Sequence, residues 1–252
     1  MRINYGALFQ EKSKDKTMSG MVNIPIDKTL WPPAWKEIYY KVYDRFESID
    51  LPKPIPVYID QNHMIKRSTC RDYKREPIDI QTLSDILYFS AGEIKLGNRV
   101  HRVQASGGGR YPIELYILNF KEGEIRKGVH HYNVKDHKLE YLWGFDGEES
   151  GLSPETKYMT ILWAEEAAMA IVATAIPVRT VMKYGERGYK YIYLEAGAIL
   201  QNIQNNAHLR GIGSAINGST NEKEIEELLD IDGVKETLIL SIVIGVPASP
   251  IT

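Results

Sequence analysis

The stretch from Lys183 to Gly213, KYGERGYKYIYLEAGAILQNIQNNAHLRGIG, decides how the rest of the chain is interpreted. Its apolar residues recur at intervals of three and four, the spacing of one face of an α-helix. They are Ile192, Ala196, Ile199 and Ile203. The pattern predicts a long core helix from Tyr189 to Leu209, ended by Gly211 because helices commonly stop at a glycine.

Segments on the N-terminal side of this helix predict a second helix and several strands. Residues 77–92, PIDIQTLSDILYFSAG, have helical periodicity over about three turns. Residues 111–120, YPIELYILNF, are apolar and β-branched, and residues 129–142, VHHYNVKDHKLEYL, contain a turn at Asp136-His137. Together these strand-like runs predict one antiparallel sheet.

Two apolar runs complete the predicted body, and an irregular arm precedes it. The run 160–176, TILWAEEAAMAIVATAI, is compatible with helix or strand, and we interpret its second half, 171–176, as a buried strand. The run 236–247, ETLILSIVIGVP, has the continuous apolarity of a fully buried strand. Residues 1–56 are rich in proline and read as an arm or a mobile tail. Its large aromatics would pack it onto the body or onto a second subunit: Trp31, Trp35, Tyr39, Tyr40 and Tyr43.

The composition is that of a globular protein with a substantial core. Of 252 residues, 43% are hydrophobic and 25% charged, with 31 basic and 33 acidic side chains giving a formal net charge of -2. No basic field indicates nucleic acid or an anionic membrane. A single cysteine, Cys70, forms no intramolecular disulfide, and no Cys/His spacing indicates a zinc site. Without a signal or membrane-spanning segment, we expect a cytoplasmic location and no membrane partner.

Two polar segments could bind a cofactor. Residues 66–73, KRSTCRDY, place three cations and two hydroxyls together, a set that suits a phosphate but also fits a solvated basic turn. Residues 104–112, QASGGGRYP, form a glycine-rich loop whose backbone N–H groups could approach a flat ligand. An ordinary connector is the alternative, and neither a Walker loop nor a dinucleotide fingerprint is present.

Two further segments could carry chemistry or merely structure. In residues 183–191, KYGERGYKY, an ammonium at Lys183 could lower the pKa of the adjacent Tyr184 for proton abstraction, although exposed Lys-Tyr pairs are common. Residues 209–220, LRGIGSAINGST, could present backbone N–H groups to a ligand or form a plain helix exit.

Five motifs in this order, RSTCRDY, ASGGGRYP, KYGERGY, LEAGAILQN and GIG, resemble the nitroreductase superfamily. More specifically they resemble its SagB-type branch, which includes the azoline dehydrogenases. The resemblance runs from about Lys66 to Pro247. It implies an α+β fold with a central antiparallel sheet flanked by helices, formed by residues 57–252, and a homodimer with FMN at its interface.

The resemblance also implies site residues. The phosphate and ribityl chain would be held by one set, the loop from the partner subunit would add a second, and the flavin O4 and N5 edge would face a third. These sets are Arg67, Ser68, Thr69 and Arg71; Ser106, Gly107 and Gly108; and Ile216, Asn217 and Gly218. Tyr184 with Lys183 would act as the base. Arg110 departs from the family pattern, which has leucine there, and would bind an anionic substrate or pair with an acid.

Three functions follow as hypotheses. The first is an FMN-dependent SagB-type oxidoreductase that oxidises thiazoline or oxazoline rings of a peptide, with a cyclodehydratase as a partner. The second is a nitro- or quinone-reducing enzyme with NAD(P)H as electron donor. The third is a noncatalytic flavin-binding scaffold subunit of a biosynthetic complex. A purified protein without flavin absorbance would exclude both enzymes.

Overall fold

Seven antiparallel strands form the sheet at the centre of the molecule. The computed structural model describes residues 4–14, 24–58, 61–145 and 152–249. Its strands are β1 (Ser48–Asp50), β2 (Glu93–Leu96), β3 (Arg99–Arg102), β4 (Ile113–Asn119), β5 (Gly128–Asn133), β6 (Lys138–Trp143), β7 (Met169–Ala175), β8 (Gly213–Asn217) and β9 (Thr237–Gly245). The sheet order is β1-β6-β5-β4-β7-β9-β8, whereas β2 and β3 form a separate hairpin. The predicted antiparallel sheet is confirmed.

Helices flank this sheet, and the longest of them is the one predicted from its apolar stripe. They are α1 (Tyr5–Lys12), α2 (Pro33–Lys36), α3 (Gln61–Lys66), α4 (Ile80–Ala91), α5 (Pro154–Met159), α6 (Val178–Tyr184), α7 (Gly188–Leu209) and α8 (Glu222–Leu228). Short 3-10 turns occupy Lys28–Leu30, Gly107–Gly109, Leu162–Ala164 and Gly185–Arg187. The predicted helix over 189–209 is confirmed, and it ends before Gly211, whose φ is +70°.

The main core lies between one face of the sheet and the pair α4 and α7. The predicted stripe of α7 is almost fully buried, and it packs with Leu83 and Leu87 of α4 against Leu115 and Ile171 of the sheet. Asn202 of α7 donates to the Ser90 carbonyl at 3.2 Å, which ties the two helices together. The apolar stripe therefore holds α7 across the sheet.

The ambiguous run 160–176 resolves as a strand in its second half. Every residue of β7 is buried, because β7 lies between β4 and β9 near the middle of the sheet. Its continuous apolarity is thus the pattern of a strand covered on both faces. The strand interpretation is confirmed, as is the buried strand β9 from the run 236–247.

The N-terminal arm packs on its own chain over its described residues. Strand β1 extends the main sheet by pairing with β6. The Tyr43 ring lies 5.1 Å from the ring of His131, and the Tyr43 and Tyr116 hydroxyls are 3.1 Å apart. A domain boundary at residue 57 stays a prediction, although β1 fastens the arm to the sheet before it.

The described residues contain neither a membrane-spanning helix nor a candidate metal site. No helix among them has the length and apolar character needed to cross a membrane. The same residues contain no group of three or more His, Cys, Asp or Glu side chains placed to hold a metal ion.

Candidate active site

The Lys-Tyr pair lies at the end of α6, just before the chain turns into α7. Lys183 is 1% exposed, and its Nζ has no hydrogen-bond partner among the described residues. Gly185 follows with φ +54°, so α6 ends here and the 3-10 turn redirects the chain. A buried ammonium or amine without a partner is costly and points to a ligand at this position.

The predicted glycine-rich loop meets this pair within the same chain. Gly108 has φ +65°, and a Cβ added there would lie 2.9 Å from Lys183 Nζ and would overlap Tyr184 Oη. A Cβ at Gly107 would lie 3.1 Å from the Tyr191 side chain, which packs edge-on against Tyr184. Glycine is therefore required for the backbone to approach the pair this closely.

Hydrogen bonds of Ser106 and Glu195 stabilise the glycine-rich loop. Ser106 Oγ accepts from the Tyr111 N–H at 2.8 Å, so its side chain braces its own loop. Glu195 of α7 is 3% exposed and receives a hydrogen bond from Gln104 at 3.2 Å. Burial raises the pKa of Glu195 to about 7, although hydrogen bonds from Ser106 and Gln104 oppose the rise. Glu195 was not predicted as a site residue, although it lies within the LEAGAILQN motif.

The pKa shifts of Lys183 and Tyr184 differ from those expected from the sequence. Burial, with the positive charges of Arg110 and Lys28, lowers the pKa of Lys183 to about 8. Burial and the neighbouring Tyr191 raise the pKa of Tyr184, against a smaller lowering by Arg110. The expectation that Lys183 lowers the pKa of Tyr184 is therefore wrong, because desolvation outweighs the nearby charges. The lysine is the member of the pair that titrates near neutral pH.

Arg110 does not face an open substrate site. It is 1% exposed, and its guanidinium donates four hydrogen bonds to backbone carbonyls. Nε donates to Arg179 O at 2.9 Å, and the terminal nitrogens donate at 2.8 Å to the carbonyls of Ala34, Trp35 and Glu37. These carbonyls accept the guanidinium N–H groups, so the expectation that Arg110 binds an anionic substrate or an acid is wrong.

The four predicted phosphate residues lie on an extended segment after α3, and they do not converge. Arg67 Nη1 is buried without a hydrogen-bond partner in the described part of the chain. The Arg71 guanidinium instead stacks 5.8 Å from the ring of Trp163. Ser68 and Thr69 are exposed. Among these four residues, only Arg67 has a buried donor without a hydrogen-bond partner in the described part of the chain.

Arg67 borders a cavity of about 110 Å³ beside the C-terminal end of α7. The cavity is lined by His63, Met64, Arg67, Asn205, His208 and Leu209. His208 Nδ1 is buried without a hydrogen-bond partner among the described residues. Burial, together with the nearby cationic groups His63, Arg67 and Lys66, lowers the pKa of His208. An anion would relieve both the repulsion and the unsatisfied donors. Neither histidine was predicted as a site residue, although His63 precedes Arg67 by one helical turn.

Residues 216–218 form the end of strand β8 and the start of the turn that follows it. The segment after α3 is held along β8, because the Cys70 N–H donates to Ser214 O at 2.9 Å. Asn217 Nδ2 donates to Met159 O at 3.0 Å, which ties this side chain to the end of α5, and its Oδ1 accepts from the Ser219 N–H at 2.9 Å. Ile216 is 39% exposed, and Gly218 has open space around its Cα.

The candidate residues therefore form two clusters at opposite ends of α7. The loop cluster, comprising Gly107, Gly108, Lys183 and Tyr184, lies beside Tyr191. The anion cluster, comprising His63, Arg67 and His208, lies beside Asn205. Fourteen residues separate Tyr191 from Asn205, so the helix rise places the clusters about 20 Å apart.

The chain is similar in sequence to a known protein family and to two individual proteins. Residues 64–246 match the model of the nitroreductase family. The chain is 28% identical over 182 residues to the putative nitroreductase MJ1384 of Methanocaldococcus jannaschii, covering 72% of this chain and 88% of that protein. It is 23% identical over 231 residues to the trifolitoxin-processing protein TfxB of Rhizobium leguminosarum, covering 87% of this chain and 62% of that protein.

Solved structures share the fold. A putative nitroreductase from Ralstonia eutropha superposes with a TM-score of 0.65 at 23% identity, covering 80% of this chain and 90% of that one. A chain of the Escherichia coli microcin synthetase McbBCD complex with truncated pro-MccB17 gives 0.60 at 17%, covering 96% and 91%. A putative nitroreductase in complex with FMN from Desulfovibrio desulfuricans gives 0.51 at 15%, covering 75% and 86%.

Proposed function

This chain belongs to the nitroreductase family, and on that premise we propose that it is an FMN-dependent oxidoreductase of the SagB type. Its substrate is a thiazoline or oxazoline ring in a peptide, which it oxidises to the azole. The observation that carries this proposal is the buried Lys183 Nζ, which lies against Gly108 and Tyr184 and has no hydrogen-bond partner among the described residues. A family member that serves only to bind flavin has no use for such a group.

The residues present fit FMN in two respects. The buried Arg67 and His208 nitrogens without partners suit the phosphate, since charge-assisted hydrogen bonds would satisfy them. The backbone at Gly107 and Gly108 suits the close approach of a flat ring, because glycine leaves room for it. Ser68, Thr69 and Arg71 remain proposed ligands of the ribityl chain and phosphate, and Ile216, Asn217 and Gly218 of the ring edge.

A homodimer would unite the two clusters. Seven single bonds join the flavin ring nitrogen to phosphorus, a reach of about 10 Å. The clusters of one chain lie about 20 Å apart along α7, about twice that reach, which favours a site built from two copies of the chain. A second copy would bring its loop cluster to the anion cluster of the first. Exposed apolar residues on α7 support such an interface: Tyr193 is 55% exposed and Leu194 is 70% exposed.

The chemistry divides between the cofactor and the Lys-Tyr pair. Bound FMN supplies the acceptor for a hydride at N5. Azoline oxidation removes two hydrogens from adjacent ring atoms, one as that hydride and one as a proton, and leaves a ring double bond. Lys183 Nζ takes the proton, because its lowered pKa of about 8 provides neutral amine near working pH. Tyr184 stays protonated and orients the ring by donating a hydrogen bond.

Two relatives support a peptide substrate. TfxB is named as a trifolitoxin-processing protein, and the McbBCD chain belongs to a microcin synthetase with truncated pro-MccB17 bound. A peptide substrate also implies a cyclodehydratase as the source of the azoline, because the ring must form before it can be oxidised.

The visible spectrum of the purified protein, combined with arginine variants, tests the cofactor assignment. We expect flavin absorbance that Arg67→Met weakens, with FMN affinity lower by roughly 10- to 100-fold, the worth of hydrogen bonds to a charged group. Arg75→Met is the matched control, because Arg75 forms an exposed ion pair with Glu166. A protein that takes up no FMN on reconstitution would exclude the proposal.

Tyr184→Phe tests the chemistry. The variant keeps the ring packing against Tyr191 and removes only the hydroxyl, so bound flavin should be retained while azoline turnover is lost. Undiminished turnover would remove Tyr184 from the mechanism.

A nitro- or quinone-reducing activity is the second candidate, favoured by the name of MJ1384, which the chain covers over 88% of its length. The electron donor discriminates the two. Rapid bleaching of the flavin by NAD(P)H without an azoline would favour the reductase, whereas bleaching only by an azoline peptide would favour the dehydrogenase.

A further inference from the structure

The arm reaches the candidate site at Trp31, with Trp35 farther from Lys183 at 5.9 Å. The Lys183 Nζ lies 3.5 Å from the centroid of the Trp31 ring, and Lys28 Nζ lies 5.6 Å from the same ring. A cation at this distance from an indole face is attracted by the ring electrons. Trp31 therefore lies against one side of Lys183, with Gly108 and Tyr184 also close to the amine.

Trp31 is itself fixed in place. Its Nε1 donates to Pro25 O at 2.7 Å, and its ring packs edge-on against Trp35 with centroids 6.5 Å apart. Trp35 lies in α2, a helix of only four residues. So short a helix is not stable by itself and needs an external partner.

Arg110 is that partner. Three of its hydrogen bonds go to the carbonyls of Ala34, Trp35 and Glu37, at the C-terminal end of α2, where carbonyls lack partners within the helix. The remaining bond goes to Arg179 of α6, the helix that carries Lys183. One buried guanidinium thus joins the arm, the glycine-rich loop and the helix of the Lys-Tyr pair.

We infer that Trp31 is a positioning residue that aims Lys183 at the ring substrate and excludes water from it, and that Arg110 is the anchor that keeps Trp31 there. The catalytic purpose of this arrangement rests on the proposed function. The contacts themselves can be tested without any substrate.

The charges around Lys183 are consistent with this arrangement. Arg110 from the loop and Lys28 from the arm both face it, and Tyr184 is the neighbouring titratable group on α6. Burial and the two cations lower its pKa. Release of the arm would expose the amine and remove Lys28, so the pKa would rise toward 10.5, the ordinary value.

Amine labelling of Lys183 at a series of pH values, read by peptide mass spectrometry, tests the inference. The rate at high pH reports exposure, and the midpoint reports the pKa. In the unaltered protein we expect slow labelling with a midpoint near 8. In Arg110→Met we expect the high-pH rate to increase on the order of tenfold and the midpoint to move up by one unit or more.

Trp31 is tested separately, because removing a buried arginine can prevent folding. Trp31→Leu should raise the high-pH labelling rate of Lys183, whereas Trp31→Phe, which keeps an aromatic face, should restore protection. Phe46→Leu and Arg45→Met are matched controls on the same arm. Phe46 packs on Tyr43 and Trp143, away from Lys183, and Arg45 is exposed. Both controls should label like the unaltered protein.

Activity measurements separate this inference from the proposed function. Trp31→Leu should lower kcat for the azoline more than it raises KM, with flavin retained, and Trp31→Phe should recover most of kcat. Protection of Lys183 that persists in both Arg110→Met and Trp31→Leu overturns the inference while the function stands. Loss of protection in a protein that oxidises no azoline upholds the arm contacts and overturns the function.

Discussion

Lys183 combines a buried position, an aromatic cover and a pKa lowered to about 8. If its neutral amine accepts the substrate proton, kcat/KM rises with pH through about 8 and falls below it, because protonation removes the acceptor. Lys183→Arg keeps a cation but cannot lose its proton near neutral pH, so it should abolish turnover and this limb of the profile. Kinetics across this pH range, with flavin content monitored, provide the measurement. A profile that stays flat through 8 would contradict the assignment.

Gly108 and Gly109 form a matched pair for testing the loop. Both have φ +65°, so alanine at either costs backbone strain of about 1 kcal/mol. At Gly109 the new Cβ meets only Tyr111 at 3.9 Å, whereas at Gly108 it collides with Lys183 and Tyr184. We expect the larger loss of thermal stability in Gly108→Ala, because the collision adds to the backbone strain, and a loss of turnover only in that variant. Equal turnover in both would show that the contact between Gly108 and the Lys-Tyr pair does not matter for catalysis.

At the scale of elements, strands β4, β5 and β6 share a buried polar network. His131 of β5 lies between Glu140 of β6, at 2.8 Å, and Glu114 of β4, at 3.3 Å. Glu114 also pairs with Arg179 of α6. The network therefore connects the middle of the sheet to the helix that carries the Lys-Tyr pair.

The network predicts a pH-dependent stability. Burial lowers the pKa of His131, but the hydrogen bonds that it donates to the two carboxylates raise it above its ordinary value. Its stabilisation is therefore complete below 6.5 and is lost as pH rises through the raised value. Hydrogen bonds from His131 and Asn133 lower the pKa of Glu140, so its stabilisation is present above 4.5 and is lost in acid. Between these limits both contributions are present.

Glu140→Gln tests this window. The variant should lower the free energy of unfolding by roughly 1–3 kcal/mol near pH 5.5, and by less at alkaline pH, where His131 is neutral in either protein. Denaturant titrations at the two pH values provide the comparison. Glu47→Gln, which removes an exposed carboxylate 3.8 Å from Arg126, is the control and should have little effect. A penalty independent of pH would exclude a charged His131.

The elements that the sequence predicted are those with an uninterrupted pattern. Helix α7 shows an apolar stripe because the same face packs on the sheet over its whole length. Strand β9 shows a continuous apolar run because it lies within the sheet over its whole length. The arm has no period to detect, since its prolines interrupt every pattern. Its structure depends instead on Arg110, whose partners are backbone carbonyls more than 70 residues away in sequence.

The site was predicted in its parts and not in its arrangement. The resemblance identified the glycine loop and the Lys-Tyr pair, and the fold brings them together. It did not identify His63 and His208, which join Arg67 only because α3 packs beside the end of α7. Side chains whose role depends on distant backbone groups leave no local pattern in the sequence.

At the scale of the whole molecule, the two clusters at opposite ends of α7 predict that each active site is assembled from two copies. In a symmetric dimer, the anion cluster of one chain would face the loop cluster of the other. Arg67→Met and Lys183→Met homodimers should then both be inactive at limiting FMN. A heterodimer of the two variants contains one site with both substitutions and one with neither.

Coexpression of these two variants should therefore restore activity. Random pairing makes half of the dimers mixed, and one of two sites in each is intact, so about a quarter of the unaltered activity should return. Purification through two different affinity tags enriches the mixed dimer and should raise the value to about a half. If Arg67 and Lys183 of one chain served the same flavin, every site in the mixed dimer would carry one defect, and no activity would return. The coexpression result thus decides between a composite site and a self-contained one, independently of which substrate is used.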